Sequence, residues 1–174
     1  MDMKKQQGFT LIELLIVVAI ISIIAAIAVP GLMRAKMSGN ETAALADLRQ
    51  VTVAETMYSV SCGGNGYAVT LTTLGVPSPG SVEPYLPPPL TSVASPVKEN
   101  YTFNLAAGNG AVLVGKDCNG TDTKTGFYVK AEPLSLGASG SRSFATNAAG
   151  TIWQDNADTA PAEPFHAPAT PIGG

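Results

Sequence analysis

The sequence predicts an α+β fold: a long N-terminal helix, one half transmembrane and one half amphipathic, packed on a small antiparallel β-sheet of three to five strands. Three observations predict it. Residues 11–29 form an apolar run carrying one charge, Glu13. Residues 31–61 repeat apolar side chains at spacings of three and four. Residues 99–156 divide into short alternating segments separated by Gly and Asn.

Leu11 to Val29 spans roughly 28 Å as a helix, close to the roughly 30 Å hydrocarbon core of a bilayer. In lipid the backbone must satisfy its own hydrogen bonds, so the run is helical despite its Ile and Val. Pro30 lacks a donor and crowds the preceding turn, so a kink is expected at Pro30 and Gly31. A secretory signal peptide fits poorly, because the run exceeds an ordinary apolar core and no small-x-small cleavage site follows the run before Pro30. A plain single-pass anchor explains the length but not Glu13, whose carboxylate costs on the order of 3 kcal/mol at mid-bilayer. A third reading is an anchor that also assembles laterally, with Glu13 set against a cation. That cation is the α-amine of Phe9, freed if the chain is cut after Gly8. It lies four residues from Glu13 on the same helix face, within one chain or facing a neighbour's carboxylate. The remaining alternative is a protonated Glu13 reaching to the near interface.

Lys4-Lys5-Gln6-Gln7 followed by Gly8-Phe9-Thr10-Leu11-Ile12-Glu13 resembles the leader and mature N-terminus of type IV prepilins and type II secretion pseudopilins. Pro30 also matches that pattern. The resemblance is close over residues 4–35 and architectural beyond. It implies the pilin fold, and cleavage between Gly8 and Phe9 by a prepilin peptidase that methylates the Phe9 amine. It implies that Glu13 neutralises the Phe9 amine of an adjacent subunit during assembly. It also implies an assembly ATPase and an inner-membrane platform protein as partners. The leader is placed in the cytoplasm by the resemblance, because Lys4 and Lys5 on one side are balanced by Arg34 and Lys36 on the other.

In domain terms the chain reads as a cleaved leader (1–8), a transmembrane or filament-core helix (9–30) and an amphipathic helical half (31–62). A Pro/Gly-rich connecting loop (63–98), a sheet head (99–156) and a flexible tail (157–174) follow. Ala44, Leu48, Val51, Ala54 and Tyr58 share one helix face. Glu41, Asp47 and Glu55 are assigned largely elsewhere. Gly63-Gly64-Asn65-Gly66 supplies the left-handed cap. Seven prolines between Pro77 and Pro96 forbid long regular elements, leaving one helical turn near Leu71–Leu74. Asn100–Ala106 alternates, Gly108-Asn109-Gly110 turns, and Ala111–Gly115 reads as its return strand. Phe127, Val129 and Ala131 share one face of the next strand, and Ser143–Thr146 and Thr151–Gln154 flank the turn Asn147–Gly150. The Pro-, Ala- and Gly-rich tail reads as flexible.

Loss of the leader lowers the basic count from ten to eight and the acidic count from thirteen to twelve, for a net charge of −4. No basic cluster survives, which disfavours nucleic acid as a partner. Cys62 and Cys118 both fall in the part that the resemblance places outside the cell, where a bond is favoured. Bridged, they would tie the end of the helix to the sheet, and the alternative is two free thiols. No catalytic constellation and no cofactor motif is present, so no enzyme is expected. Asp117, Asn119 and Asp122 offer oxygen donors in a turn, a weak calcium candidate that matches no EF-hand spacing. The triplets at Asn40 and Asn119 fit N-glycosylation only as chance does, and the sparse aromatics are explained by packing rather than electron conduction.

The reading is a structural subunit of a type IV pilus-like extracellular filament, held in the inner membrane before assembly and serving adhesion, motility or DNA uptake. A type II secretion pseudopilin, working as a periplasmic piston, is one alternative. A monomeric membrane-tethered binding module is another, and it would leave Glu13 without a role.

Overall fold

The structure, a computed structural model, describes residues 8–172. The basic leader residues Lys4 and Lys5 lie outside the described residues. The chain divides into two compact units, one ending at Lys36 and one beginning at Met37.

A single helix, α1 (Leu11–Ser61), contributes to both units and contains Pro30. In the first unit it carries no charge from Leu14 to Met33, and its apolar stretch is not buried by the chain. Within the membrane-length run 11–29 lies the exposure that matters for function. Large apolar side chains from Leu11 to Val29 stand about half or more exposed, and Leu32 and Met33 continue the pattern. A surface of this kind is stable only against lipid or against other protein.

In the second unit α1 turns one face inward. Ala44, Leu48, Val51, Ala54 and Tyr58 are buried, as their spacing predicts. The helix ends in two left-handed residues, Gly64 and Asn65, with Gly63 N–H donating to the Tyr58 carbonyl and Asn65 N–H to the Ser59 carbonyl. These bonds satisfy carbonyls that the last turn would otherwise leave open. A one-turn helix, α2 (Leu71–Leu74), follows at the expected place, with the Thr70 hydroxyl accepting from Thr73 N–H.

The strands are β1 (Val97–Lys98), β2 (Tyr101–Ala107), β3 (Leu113–Lys116), β4 (Asp122–Lys124), β5 (Phe127–Pro133), β6 (Ser143–Asn147), β7 (Trp153–Asp155) and β8 (Thr170–Pro171). They make an antiparallel six-stranded sheet in the order β1-β2-β5-β6-β7-β8, and a separate hairpin of β3 and β4. The sheet is wider than the three to five strands expected, because two two-residue strands flank the four longer ones. β2 and β5 alternate buried and half-buried residues without a break, and Phe103 faces Ala131 and Leu105 faces Val129 across the pair. Their inner residues meet the α1 face, Leu71, Leu74, Leu86 and Leu90 in one core.

Two expectations need correction. Ala111–Gly115 is not the return strand of β2. Val112, Leu113 and Val114 are all exposed, so this segment has no inward face to offer, whereas β5 gives β2 a seven-residue alternating match. β3 therefore pairs with β4 alone. The segment from residue 157 is also not a flexible tail up to residue 172. Phe165 stacks on Trp153 at 5.4 Å, Tyr128 donates to the Pro161 carbonyl, and Ile172 N–H donates to the Ile152 carbonyl. Buried Ala169 and these anchors outweigh the low regularity that its composition suggests.

Candidate assembly site

Thr10 and Glu13 open α1 with a reciprocal pair of bonds. Thr10 N–H and its hydroxyl donate to Glu13 Oε2 at 2.9 and 2.6 Å, and Glu13 N–H reaches the Thr10 hydroxyl at 3.3 Å. This is a capping box, in which the first and fourth residues satisfy each other's orphan groups. Thr10-Leu11-Ile12-Glu13 carries the residue types of this box at the required spacing. In the uncut chain Phe9 is joined to Gly8 and has no free amine. Thr10 is then the partner at hand, and among the described residues Glu13 Oε1 accepts no hydrogen bond. Gly8 has no neighbour within 4 Å of where a Cβ would lie, and Phe9 is 87% exposed. Gly8, Phe9 and the Glu13 carboxylate thus lie together at the start of α1.

The second unit is fixed by buried polar groups that the sequence placed on the outer helix face. Glu41 is buried, not solvated. Its Oε1 accepts from Ser141 N–H and hydroxyl, each at 2.7 Å, and its Oε2 accepts from Arg142 Nε at 3.0 Å and Nη2 at 2.5 Å. Burial alone would raise this carboxyl, but the bonds from Ser141 and Arg142 outweigh it and hold it below its ordinary value. Asp47 is likewise buried and paired with Lys98 Nζ at 2.6 Å. Glu55 is fully buried. One oxygen accepts from Ala68 N–H at 3.0 Å, the other has no partner, and burial pushes the carboxyl up to about 8. These acids sit at helix positions between the apolar ones, and the groups that recruit them come from remote segments.

Cys62 and Cys118 are bonded, closing a separation of 56 residues, and Cys118 N–H donates to the Cys62 carbonyl. Beside the bond, Asp117 Oδ1 accepts from Asn119 and Thr121 N–H, and Oδ2 accepts from the Tyr58 hydroxyl at 2.7 Å. Burial and this carboxylate drive the Tyr58 hydroxyl far above its ordinary value. Asp122 instead pairs with Lys116, and Asn119 donates to the Pro77 carbonyl. The three calcium candidates are therefore committed to three different partners. Asp117 serves as the cap of its own turn. Among the described residues no cluster of three His, Cys, Asp or Glu side chains is placed to hold a metal.

Comparison with known proteins is consistent with this geometry. The family model of the prokaryotic N-terminal methylation motif matches residues 3–29. The type IV wide pilus major component PilA4 of Thermus thermophilus is 40% identical over 44% of this chain and 59% of its own length. The type II secretion system core protein G of Escherichia coli is 35% identical over 63% of this chain and 72% of its own. The type IV major fimbrial protein FimA of Dichelobacter nodosus is 48% identical over 34% of this chain and 38% of its own. The chain thus spans less than two thirds of the Thermus and Dichelobacter relatives. No solved structure matches it. With a methylation motif over the helix start, and a relative matched over most of its length, the chain belongs to the superfamily of type IV pilins and type II secretion pseudopilins.

Proposed function

We propose that this protein is a structural subunit of a type IV pilus-like extracellular filament, assembled by lateral packing of its N-terminal helices. The observation that carries the proposal is the uncovered apolar half of α1 with one carboxylate at its start, next to Gly8–Phe9. A prepilin peptidase cuts after Gly8 and methylates the new Phe9 amine. Cleavage replaces a peptide nitrogen by a cation, and Glu13 of one subunit then faces the terminus of the next. Left unpaired in an apolar core, Glu13 would cost several kcal/mol, so docking is favoured only in the register that brings an amine opposite. Such head-to-tail contacts do not close and therefore yield a fibre. Pro30 and Gly31 give the helix a place to bend as it packs. Lipid and filament core cover the apolar rod about equally well, so extraction draws on an assembly ATPase and an inner-membrane platform protein. The subunit waits in the inner membrane and ends outside the cell.

The test is Glu13→Leu in the natural host. The variant should enter the membrane at wild-type level, while pilin in the sheared surface fraction falls at least tenfold. Unchanged fibre yield would instead favour a membrane-tethered binding module. The match to core protein G extends over 63% of this chain, and this supports a second reading, a periplasmic pseudopilus subunit. Deletion separates the two: loss of surface fibres marks a pilus, and intracellular retention of secreted proteins marks a pseudopilus.

A further inference from the structure

Glu55 is a buried carboxyl that no part of the assembly mechanism uses. It points from α1 into the core, where its side chain is fully enclosed. One oxygen holds Ala68 N–H and the other meets no donor. The titratable groups on the elements around it are Tyr58, Asp117, Tyr85 and Lys124. Tyr58 lies one turn along α1 and carries Asp117 on its hydroxyl. Tyr85 packs edge-on against Tyr58 at 5.5 Å. Lys124, on β4, meets the Tyr67 backbone through paired N–H and carbonyl bonds. Among the described residues no Lys or Arg forms an ion pair with Glu55.

The segment that Glu55 grips is a junction. Tyr67 bridges to β4, Ala68 is buried, and Leu71 and Leu74 of α2 enter the core. The β3–β4 hairpin is held to the rest of the head through that bridge, through Cys62–Cys118 and through Tyr58–Asp117. A neutral carboxyl at this point is tolerable, because its hydroxyl is a weakly solvated group. A charged one in an apolar, cation-free pocket is not. Hydration of the charge requires the strand of chain over it to lift.

We propose that Glu55 is a proton-operated clasp: neutral, it closes residues 67–74 over the core, and loss of its proton opens that segment while the disulfide keeps the β3–β4 hairpin attached. The sign follows from linkage. The closed head binds the proton more tightly than an opened segment, in which Glu55 meets water. Opening is therefore rarest at acid pH and becomes more frequent as pH rises from the ordinary value of 4.5 toward about 8. The chain has a single histidine, His166. It sits exposed with Nδ1 beside the Pro164 carbonyl, away from the clasp.

The experiment is amide hydrogen exchange on the full-length mature protein in detergent micelles, which does not depend on filament formation. After correction for the chemical exchange rate, opening at Tyr67–Leu74 should rise by up to about tenfold per pH unit between about pH 5 and about pH 8, and level off above. Glu55→Gln should abolish the rise. His166→Gln should leave it intact. A flat wild-type profile, or a slope that survives in Glu55→Gln, overturns the clasp. Should Glu55→Gln not fold, isotope-edited carboxyl titration of wild-type Glu55 decides instead: a transition in the ordinary carboxylate range overturns the proposal, and one near neutrality or above supports it.

Discussion

Glu41 shows how a charge becomes structural once it is enclosed. Four donors from Ser141 and Arg142 converge on its two oxygens, and Arg142 also donates to Gln154 on β7 at 2.6 Å. Arg142, just before β6, thereby links α1 to β7. Glu41→Gln keeps the shape but strips the charge, leaving Arg142 partly buried without a counter-ion. A loss of about 2–3 kcal/mol is expected in denaturant titration of the detergent-solubilised chain. The effect depends on pH in a definite direction. The carboxyl is held below its ordinary value of 4.5, so its contribution is present above that value and fades as pH falls through the lower, folded one. The gap between wild type and variant should narrow in acid. No local pattern announces this site: Glu41 and Arg142 are separated by 101 residues. A reading from periodicity alone assigns a carboxylate between apolar positions to solvent, and the same reasoning misplaced Asp47 and Glu55.

At the scale of elements, the parts defined by repetition were legible and the parts defined by long-range partners were not. The inner face of α1 follows from the 3.6-residue period, and the strands of β2 and β5 from the period of two. The Gly-rich cap follows from two needs: Gly64 takes a left-handed φ of 59°, and a Cβ on Gly66 would collide with the Thr123 side chain. The proline-rich loop was opaque. Its prolines forbid periodicity, yet it delivers Leu86 and Leu90 to the core, and nothing in an aperiodic stretch marks which leucine turns inward. The partner of β3 was misjudged because a turn signal says that the chain reverses, not which strand it meets. At the candidate site Gly8-Phe9 and Glu13 stand out by residue type alone, whereas the cap that Thr10 forms with Glu13 depends on the local helix geometry. The disulfide joins the end of α1 to the loop before β4. With a separation of 56 residues, the chain-entropy model gives about 4 kcal/mol. Replacing both cysteines by serine should lower the midpoint of thermal unfolding and increase proteolysis within β3–β4, measured by timed digestion and mass analysis.

For the whole molecule, the decisive event in the proposed assembly is a change of covalent structure at one end. Before the cut, Glu13 caps its own helix through Thr10. After it, a cation exists that the precursor lacks, and assembly becomes electrostatically rewarding only then. Gly8→Val should block the cut, since a β-branched side chain replaces the one residue without a Cβ. Intact mass should show precursor heavier than wild-type protein by the eight-residue leader, with no N-methyl-phenylalanine terminus. Normal processing in that variant would contradict the proposed site. The order of events then has a physical basis, because a precursor that cannot offer an amine gains little by leaving the bilayer.

The main sheet finishes on both sides in strands of only two residues, and the last of these, β8, includes Pro171. Proline supplies no N–H to a newcomer, and so short a rim gives a foreign strand little to zip onto. Crowded copies, however dense along a fibre or on a membrane, are thereby discouraged from joining sheet to sheet, and growth is left to the helices.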